Sequence, residues 1–167
     1  IYVNCSALPE NLLEGLLFGI EKGSFTDAEK KDGLFKLADN GTIFLDEMDS
    51  MPLSIQAKLL KAIEEKSIRP LGSNQVIYVN VRIIAASGSD AKKILENRKI
   101  RSDLFFRLSV IQFNLLPLHD RGSDVLEIAD YYVKVFNEKH HREVKGFSPE
   151  ARNLLMRHDW PGNVREL

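Results

Sequence analysis

Two continuous apolar runs constrain the fold of this chain more than any other feature. The first is TIFLD (Thr42–Asp46), which follows a glycine, and the second is VRIIAAS (residues 81–87). Neither shows the strict alternation of a strand with one solvated face, so both predict strands buried on both faces of a parallel sheet. The segment between them, MPLSIQAKLLKAIEEK, spaces its apolar residues as an amphipathic helix does.

The alternation of helices and strands continues on both sides of these runs. ALPENLLEGLLFG has helical spacing, as do residues 90–98 and 102–108, and VIQFNLL (residues 110–116) predicts one more strand. This order is typical of an α/β fold with a parallel sheet.

From about residue 120 the pattern is helical only. Ser148-Pro149 is a typical helix start, and no further strand is predicted. We therefore predict two domains, an α/β core over residues 1–119 and a small all-helical subdomain over residues 120–167.

Composition limits the cellular setting and the classes of partner. The net charge is −1, so any nucleic-acid contact would need a local basic patch. Cys5 is the only cysteine, which excludes an internal disulfide and a cysteine-based zinc site. No apolar run approaches the roughly 20 residues that cross a bilayer. A reducing, cytoplasmic location without a membrane is expected.

The chemistry of the chain centres on GTIFLDE (residues 41–47). A strand that ends in Asp46 and Glu47 places two carboxylates at the carboxyl edge of a parallel sheet, where open α/β folds bind ligands. One acid can hold a hydrated magnesium ion while the other orients or deprotonates a water. The alternative is a strand that simply ends in solvent, where acids are common.

Several long segments occur in an order that resembles a known family. They are NCSALPENLLEGLLFGIEKGSFTDA, GTIFLDEMDSMPLSIQAKLLKAIEE, VRIIAAS, RSDLFFRLSVI and WPGNVREL. Together they resemble the AAA+ ATPase domain of bacterial sigma-54-dependent transcriptional activators, over essentially the whole chain. The resemblance implies a P-loop-type three-layer sandwich with a mostly parallel sheet, followed by a helical lid.

The resemblance also implies roles at the strand ends. Asp46 and Glu47 are similar to the Walker B pair, with Asp46 toward Mg²⁺ through water and Glu47 polarising the water that attacks ATP. Asn4 matches the switch asparagine that pairs with this glutamate; taken alone, it would be a turn cap. Ser87 occupies the sensor I position, where the family usually has threonine; alone, it too would be a cap.

Three arginines match nucleotide-sensing positions of the family. Arg101 and Arg107 resemble the arginine fingers that reach the nucleotide of a neighbouring subunit, and Arg165 resembles the sensor II arginine of the lid. A guanidinium suits this task because it is always charged and grips phosphate oxygens bidentately. If both finger candidates lay on one helix, they would point about 240° apart and could not share a task. The alternative is two solvated arginines beside an apolar stripe.

The phosphate-binding loop of the family is missing from the chain. No G-x-x-x-x-G-K-[ST] occurs, and the resemblance places this motif just upstream of the strand that ends at Val3. We expect the loop to lie outside the given chain, although a protein without one is the alternative. In either case the chain alone should bind ATP poorly, because this loop supplies most phosphate contacts.

GSFTDA matches the family's GAFTGA loop, which contacts sigma-54. This would explain an aromatic residue with no apolar neighbours in sequence. Aspartate in place of the second glycine adds a side chain and a charge, which a basic patch on the partner could accept or which could abolish docking. The following segment RPLGSNQVIYVNV (residues 69–81) resembles the loop that moves with it. The six residues of GSFTDA, which the resemblance implies contact sigma-54, are Gly23, Ser24, Phe25, Thr26, Asp27 and Ala28.

We therefore expect an ATP-driven activator that works on the sigma-54 RNA polymerase holoenzyme. The parent protein would form a ring, a hexamer in this family, with ATP and Mg²⁺ between subunits. A sensory region would precede the domain, and DNA would be bound through a separate helix-turn-helix outside this chain. The alternatives are a regulatory or oligomerisation module that no longer engages sigma-54, for which Asp27 is the reason, and a generic AAA+ remodeller with another client.

Overall fold

A computed structural model describes residues 1–24 and 28–167, apart from the side chains of residues 91 and 92. The chain divides into two compact units, residues 1–112 and 113–167, whereas the sequence pattern placed the boundary after residue 119. The strands and helices are β1 (Tyr2–Asn4), α1 (Glu10–Phe18), β2 (Gly19–Ile20), β3 (Lys31–Asp32), α2 (Leu34–Leu37), β4 (Thr42–Asp46), α3 (Leu53–Glu65), β5 (Ser67–Ile68), β6 (Ile77–Tyr78), β7 (Arg82–Ala85), α4 (Ala91–Glu96), α5 (Ser102–Leu108), α6 (Asp124–His140) and α7 (Pro149–Arg157).

A parallel sheet forms the centre of the first unit. Within the described residues its order is β1-β4-β7, with Asn4 opposite Asp46 and Thr42 opposite Arg82. Both predicted strands therefore exist, and the predicted α/β fold with a parallel sheet is confirmed. Burial on both faces was wrong for β7: it pairs only with β4 among the described residues, and three of its four residues are exposed.

The core lies against one face of this sheet. Ile43 and Leu45 of β4 are fully buried in one cluster with Leu13 of α1, and with Ile55 and Leu59 of α3. Each of these side chains stabilises the fold by about 1.5–3 kcal/mol through removal of apolar surface from water. The helical stripes of α1 and α3 were predicted from their spacing, and this packing is the physical reason for them.

The opposite face of the sheet is much less covered. Side chains alternate along a strand, so Tyr2, Phe44 and Ile84 form a row across the three strands on that face. Tyr2 stacks on Phe44 at 5.8 Å between ring centroids, yet Tyr2 is 62% exposed and Ile84 is 42% exposed.

The strand predicted for VIQFNLL is absent. Residues 110–116 are described, and they form neither strand nor helix. Val110, Phe113 and Leu115 are each more than 80% exposed. An apolar run becomes a strand only when a neighbouring strand satisfies its backbone hydrogen bonds, and no described strand pairs with this one.

The second unit is helical, as predicted. Leu118, Val125 and Trp160 form its core, and the indole Nε1 of Trp160 donates to the Leu155 carbonyl at 2.9 Å. Arg152 binds both oxygens of Asp130 at 2.8 and 2.9 Å, which ties α7 to α6. No helix among the described residues has the length and apolar character needed to cross a membrane.

Gly33 closes the base of the segment between β2 and β3. A Cβ built on this glycine would lie 2.3 Å from the carbonyl carbon of Phe18 and 2.4 Å from the nitrogen of Gly19. Real Cβ atoms do not approach backbone so closely, so this position excludes every other residue type unless the backbone shifts.

We predict that Gly33→Ala lowers the free energy of unfolding by about 2 kcal/mol or more through overpacking. Gly88→Ala is the matched control, because nothing lies within 4 Å of its Cβ position. Urea denaturation followed by circular dichroism measures both variants. Equal stability of the two would show that the base of the segment adjusts freely.

Candidate functional site

The parallel register brings three strand ends together at one edge. Asn4 and Asp46 are direct partners across β1 and β4, and the pairing continues with Cys5 N–H donating to the Asp46 carbonyl at 2.9 Å. On the other side, the Ala86 N–H donates to the Leu45 carbonyl at 2.8 Å, and the Met48 N–H to the Ala86 carbonyl at 3.0 Å. The segments that follow β4 and β7 therefore leave the sheet side by side.

Asp46 is held in place by two donors. The Tyr2 hydroxyl donates to its Oδ2 at 2.8 Å, and the Glu47 N–H donates to its Oδ1 at 2.9 Å. A carboxylate that accepts on both oxygens keeps a fixed orientation and retains further lone pairs for a hydrated cation.

Two titratable neighbours respond to these carboxylates. The hydrogen bond to Asp46 raises the pKa of the exposed Tyr2 hydroxyl. Burial, followed by the charges of Asp46 and Glu47, raises the pKa of the Cys5 thiol to about 11. Both groups stay protonated at neutral pH, so Tyr2 remains a donor and Cys5 is not a nucleophile.

Glu47 has an unusual backbone and an uncommitted side chain. Its φ of 53° and ψ of 45° lie in the left-handed region, which is sparsely populated by residues other than glycine and is found at functional sites. Its backbone carbonyl accepts from the Ser50 N–H at 2.9 Å. Among the described residues nothing forms a hydrogen bond or ion pair with its exposed carboxylate, which is therefore available to a water or a ligand.

Asn4 caps a turn in this structure. Its Oδ1 accepts from the Ser6 N–H at 2.8 Å and from the Ser6 hydroxyl at 2.9 Å. No hydrogen bond joins Asn4 to Glu47 within the described part of the chain. The side chain nevertheless lies at the same strand edge as the acidic pair.

Ser87, which follows β7, belongs to a small polar network with Ser89, Asp49 and Lys99. Its Oγ accepts from the Ser89 N–H at 3.3 Å, while the Ser89 hydroxyl donates to Asp49 Oδ2 at 3.1 Å. Asp49, only 11% exposed, also lies 3.6 Å from the Lys99 ammonium. Burial alone would raise the pKa of Asp49, but hydrogen bonds from Ser87 and Ser89, with the charge of Lys99, lower it overall.

The two finger candidates do not share a helix. Arg101 is the residue before the first turn of α5, whereas Arg107 lies in its last turn. The angle of about 240° expected between the two side chains does not apply, because the helix begins after Arg101. The guanidinium of Arg101 is paired bidentately with Asp103, at 3.1 and 2.8 Å. Arg107 is exposed and has no described partner.

The base of the GSFTDA segment is bonded to the segment that follows β5. The Glu21 N–H donates to the Leu71 carbonyl, and the Leu71 N–H donates to the Gly19 carbonyl, both at 2.9 Å. The Gly23 N–H donates to the Ala28 carbonyl at 3.2 Å, which joins the first and last residues of the segment. Three of the predicted contact residues, Phe25, Thr26 and Asp27, lie outside the described residues. Ser24 lies against Gly72, whose added Cβ would meet the Ser24 Cβ at 2.4 Å.

Arg165, the last candidate, lies in the second unit. It ends a short 3₁₀ turn (Asn163–Arg165), and its side chain is exposed. The same turn is fixed by the Asn163 side chain, which accepts from the Leu118 N–H at 2.7 Å.

Sequence reasoning missed three residues that organise the site. Tyr2 fixes Asp46, Asp49 gathers Ser89 and Lys99, and Gln56 of α3 bonds the backbone of residues 99–101. Only Gln56 left a signal, because it is a polar residue on the apolar stripe of an amphipathic helix.

Curated proteins similar to this chain are transcriptional regulators. The chain is 45% identical over 168 residues to the transcriptional regulatory protein ZraR of Salmonella typhimurium, covering the whole chain and 38% of that protein. It is also 45% identical to the regulatory protein AtoC of Escherichia coli, of which it covers 36%, and to FlbD of Caulobacter vibrioides, of which it covers 37%. The chain thus spans less than two fifths of these relatives.

Solved structures show the same fold. NtrX from Brucella abortus in complex with ADP superposes with a TM-score of 0.88 at 28% identity, over 99% of this chain and 36% of that one. The complex of the same protein with ATP gives a TM-score of 0.87.

Two family descriptions cover almost all of the chain. Residues 119–167 match the AAA+ ATPase lid domain, and residues 1–114, more than half of the chain, match the Sigma-54 interaction domain. The first match contains the strand edge with Asn4, Asp46 and Glu47. The chain therefore belongs to the Sigma-54 interaction domain family of AAA+ proteins.

Proposed function

We propose that this chain is the ATP-hydrolysing part of a sigma-54-dependent transcriptional regulator that acts in the cytoplasm and remodels the sigma-54 RNA polymerase closed complex. One observation carries the proposal: the family match contains a parallel sheet whose carboxyl edge holds an oriented carboxylate, Asp46, beside an uncommitted one, Glu47. This is the division of labour that hydrolysis of a phosphoanhydride needs.

The donor set at this edge fits magnesium. No group of three or more His, Cys, Asp or Glu side chains able to hold a metal occurs among the described residues. Mg²⁺ does not need such a group, since it keeps several waters and binds through one or two carboxylates and the substrate phosphates. Asp46 would hold the hydrated ion, and when bound the ion neutralises charge on the phosphates.

The remaining roles belong to groups of the chain itself. Glu47 accepts a hydrogen bond from the attacking water and orients it, as its exposed carboxylate allows. Asn4, now bonded to Ser6, exchanges that partner for Glu47 when the nucleotide state changes. Ser87 offers a hydroxyl to the phosphate or water from the end of β7, and Arg165 contributes a lid contact.

The nucleotide itself is ATP in this proposal. NtrX, which shares the fold at 28% identity, has been solved with ATP and with ADP. No G-x-x-x-x-G-K-[ST] motif occurs in the given residues, so we assign hydrolysis to the full-length protein and not to this chain alone.

Arg101 and Arg107 act on the neighbouring subunit of a ring, most simply a hexamer. The Arg101 pair with Asp103 is exposed and screened by solvent, so the guanidinium can leave it for a phosphate at little cost. Arg107 is free of described partners and supplies a second positive charge nearby.

The GSFTDA loop supplies the contact with sigma-54. Its base is bonded to Leu71 through two backbone hydrogen bonds, so a shift of the segment after β5 is transmitted to the loop. DNA is bound by a separate helix-turn-helix domain, and no membrane is involved.

A second candidate function is a regulatory or oligomerisation module that does not engage sigma-54. The specific observation in its favour is Asp27, which places a negative charge where the family loop has glycine. In this second candidate function the ATPase residues keep their roles, and only the partner differs from sigma-54.

We predict that Glu47→Gln in the full-length protein retains ATP binding but loses at least about 100-fold of its turnover, because an amide is a far weaker hydrogen-bond acceptor for the water. Steady-state phosphate release and nucleotide titration measure the two properties. Glu64→Gln, an exposed glutamate without described contacts, is the control and should leave both unchanged. Normal turnover by Glu47→Gln would remove Glu47 from the catalytic role.

We predict that the full-length protein binds purified sigma-54 in the presence of an ATP transition-state mimic, and that Thr26→Ala weakens this binding at least about tenfold by removal of a contact at the centre of the interface. ATP turnover of the same variant is the control and should stay unchanged, since the change leaves the strand edge intact. No binding by wild type, with binding gained by Asp27→Gly, would favour the second candidate function.

A further inference from the structure

Gln56 is a polar side chain buried in the core. It lies on α3 between Ile55 and Leu59 and is 0% exposed. It belongs to the segment GTIFLDEMDSMPLSIQAKLLKAIEE, but it is not one of the site residues predicted from that segment. Its amide nitrogen donates to the Met51 carbonyl at 2.7 Å and to the Lys99 carbonyl at 2.9 Å. Its amide oxygen accepts from the Arg101 N–H at 2.9 Å.

The geometry resembles the pairing of a neighbouring strand. One side-chain amide satisfies a carbonyl and an N–H two residues apart, at Lys99 and Arg101, while Ile100 between them is buried. This segment lies between α4 and α5 and pairs with no strand among the described residues. The Gln56 side chain therefore supplies the hydrogen-bond partner that the backbone of residues 99–101 would otherwise lack.

Packing alone does not account for this residue. Burial of an amide is costly unless its hydrogen bonds are made, and an apolar residue of similar volume would fill the same space without that cost. Gln56 makes three of its possible hydrogen bonds, and two of them end on residues 99–101. The amide thus serves to fix that segment.

A second contact fixes the same segment from the side chain of Lys99. Its ammonium lies 3.6 Å from Asp49, which also accepts from Ser89. Gln56 and the Lys99–Asp49 pair together form what we call the 99–101 clamp. The clamp ends at Arg101, immediately before the first turn of α5.

We propose that Gln56 is a positioning residue for Arg101, with the Lys99–Asp49 pair in support, and that the clamp aims this arginine at the nucleotide of the adjacent subunit. The inference rests on the proposed function, in which Arg101 acts in trans. Arg101 is exposed, so no packing directs its side chain. Its guanidinium pairs with Asp103, two residues further along the chain, so the backbone that the clamp holds sets the position from which the arginine extends.

Mixed rings of the full-length protein separate this role from a general effect on folding. Subunits with Glu47→Gln cannot hydrolyse ATP but donate Arg101, and subunits with Arg101→Ala have an intact site but cannot donate. We expect each preparation alone to be nearly inactive and an equal mixture to regain turnover. Gln56→Met is then placed in either the donating or the accepting subunit, so that the same substitution is its own control.

We expect Gln56→Met in the donating subunit to lower the turnover of the mixture about tenfold or more, since small displacements of a catalytic group are costly. In the accepting subunit, which has no Arg101 to position, the loss should be about twofold or less. Lys99→Met changes a half-exposed side chain, which limits its effect on folding, and should show the same asymmetry at smaller size.

The controls distinguish failure of the inference from failure of the proposed function. No regain of turnover by the first mixture, or full turnover by Arg101→Ala alone, would overturn the action of Arg101 in trans and the inference with it. Regained turnover, with equal losses from Gln56→Met in both subunits or with none in the donating one, would overturn the inference alone. Should Gln56→Met fail to assemble, Lys99→Met decides by the same criterion.

Discussion

Parallel pairing of β4 between β1 and β7 is the constraint on which the site depends. Parallel strands place their carboxyl ends at one edge, so the register that sets Asn4 opposite Asp46 also sets the segment after β7 beside them. Polar groups from three parts of the chain that are distant in sequence therefore lie at one edge of the sheet. The buried side chains of Ile43 and Leu45 hold this register, because a slip by one residue would expose both.

A second level of organisation runs from α3 to the segment before α5. Gln56 bonds Met51, which closes the turn after Glu47, and it also bonds the backbone at Lys99 and Arg101. In the proposed ring, Glu47 works at the subunit's own nucleotide and Arg101 at its neighbour's. The Gln56 amide therefore connects the turn after Glu47 with the backbone at Arg101. In such a ring it would link two neighbouring nucleotide sites through a single subunit.

Local patterns predicted much of this organisation. TIFLD followed by two acids is apolar where it is buried and charged where it ends, so the position of Asp46 and Glu47 followed from sequence. The strand at residues 110–116 was wrong because the pattern records apolarity but not whether a partner is present. The bonds of Gln56 to Lys99 and Arg101 were out of reach for a similar reason, since they join residues 43 and 45 positions apart. The same holds for Tyr2, which bonds Asp46 across 44 positions.

The open side of β7 has a consequence for handling the chain in isolation. One edge of this strand has no described partner, the adjoining face presents Tyr2 and Ile84 to solvent, and residues 110–116 expose further large apolar side chains. Unpaired strand edges beside apolar surface are templates for association between copies. The isolated chain should thus have limited colloidal stability.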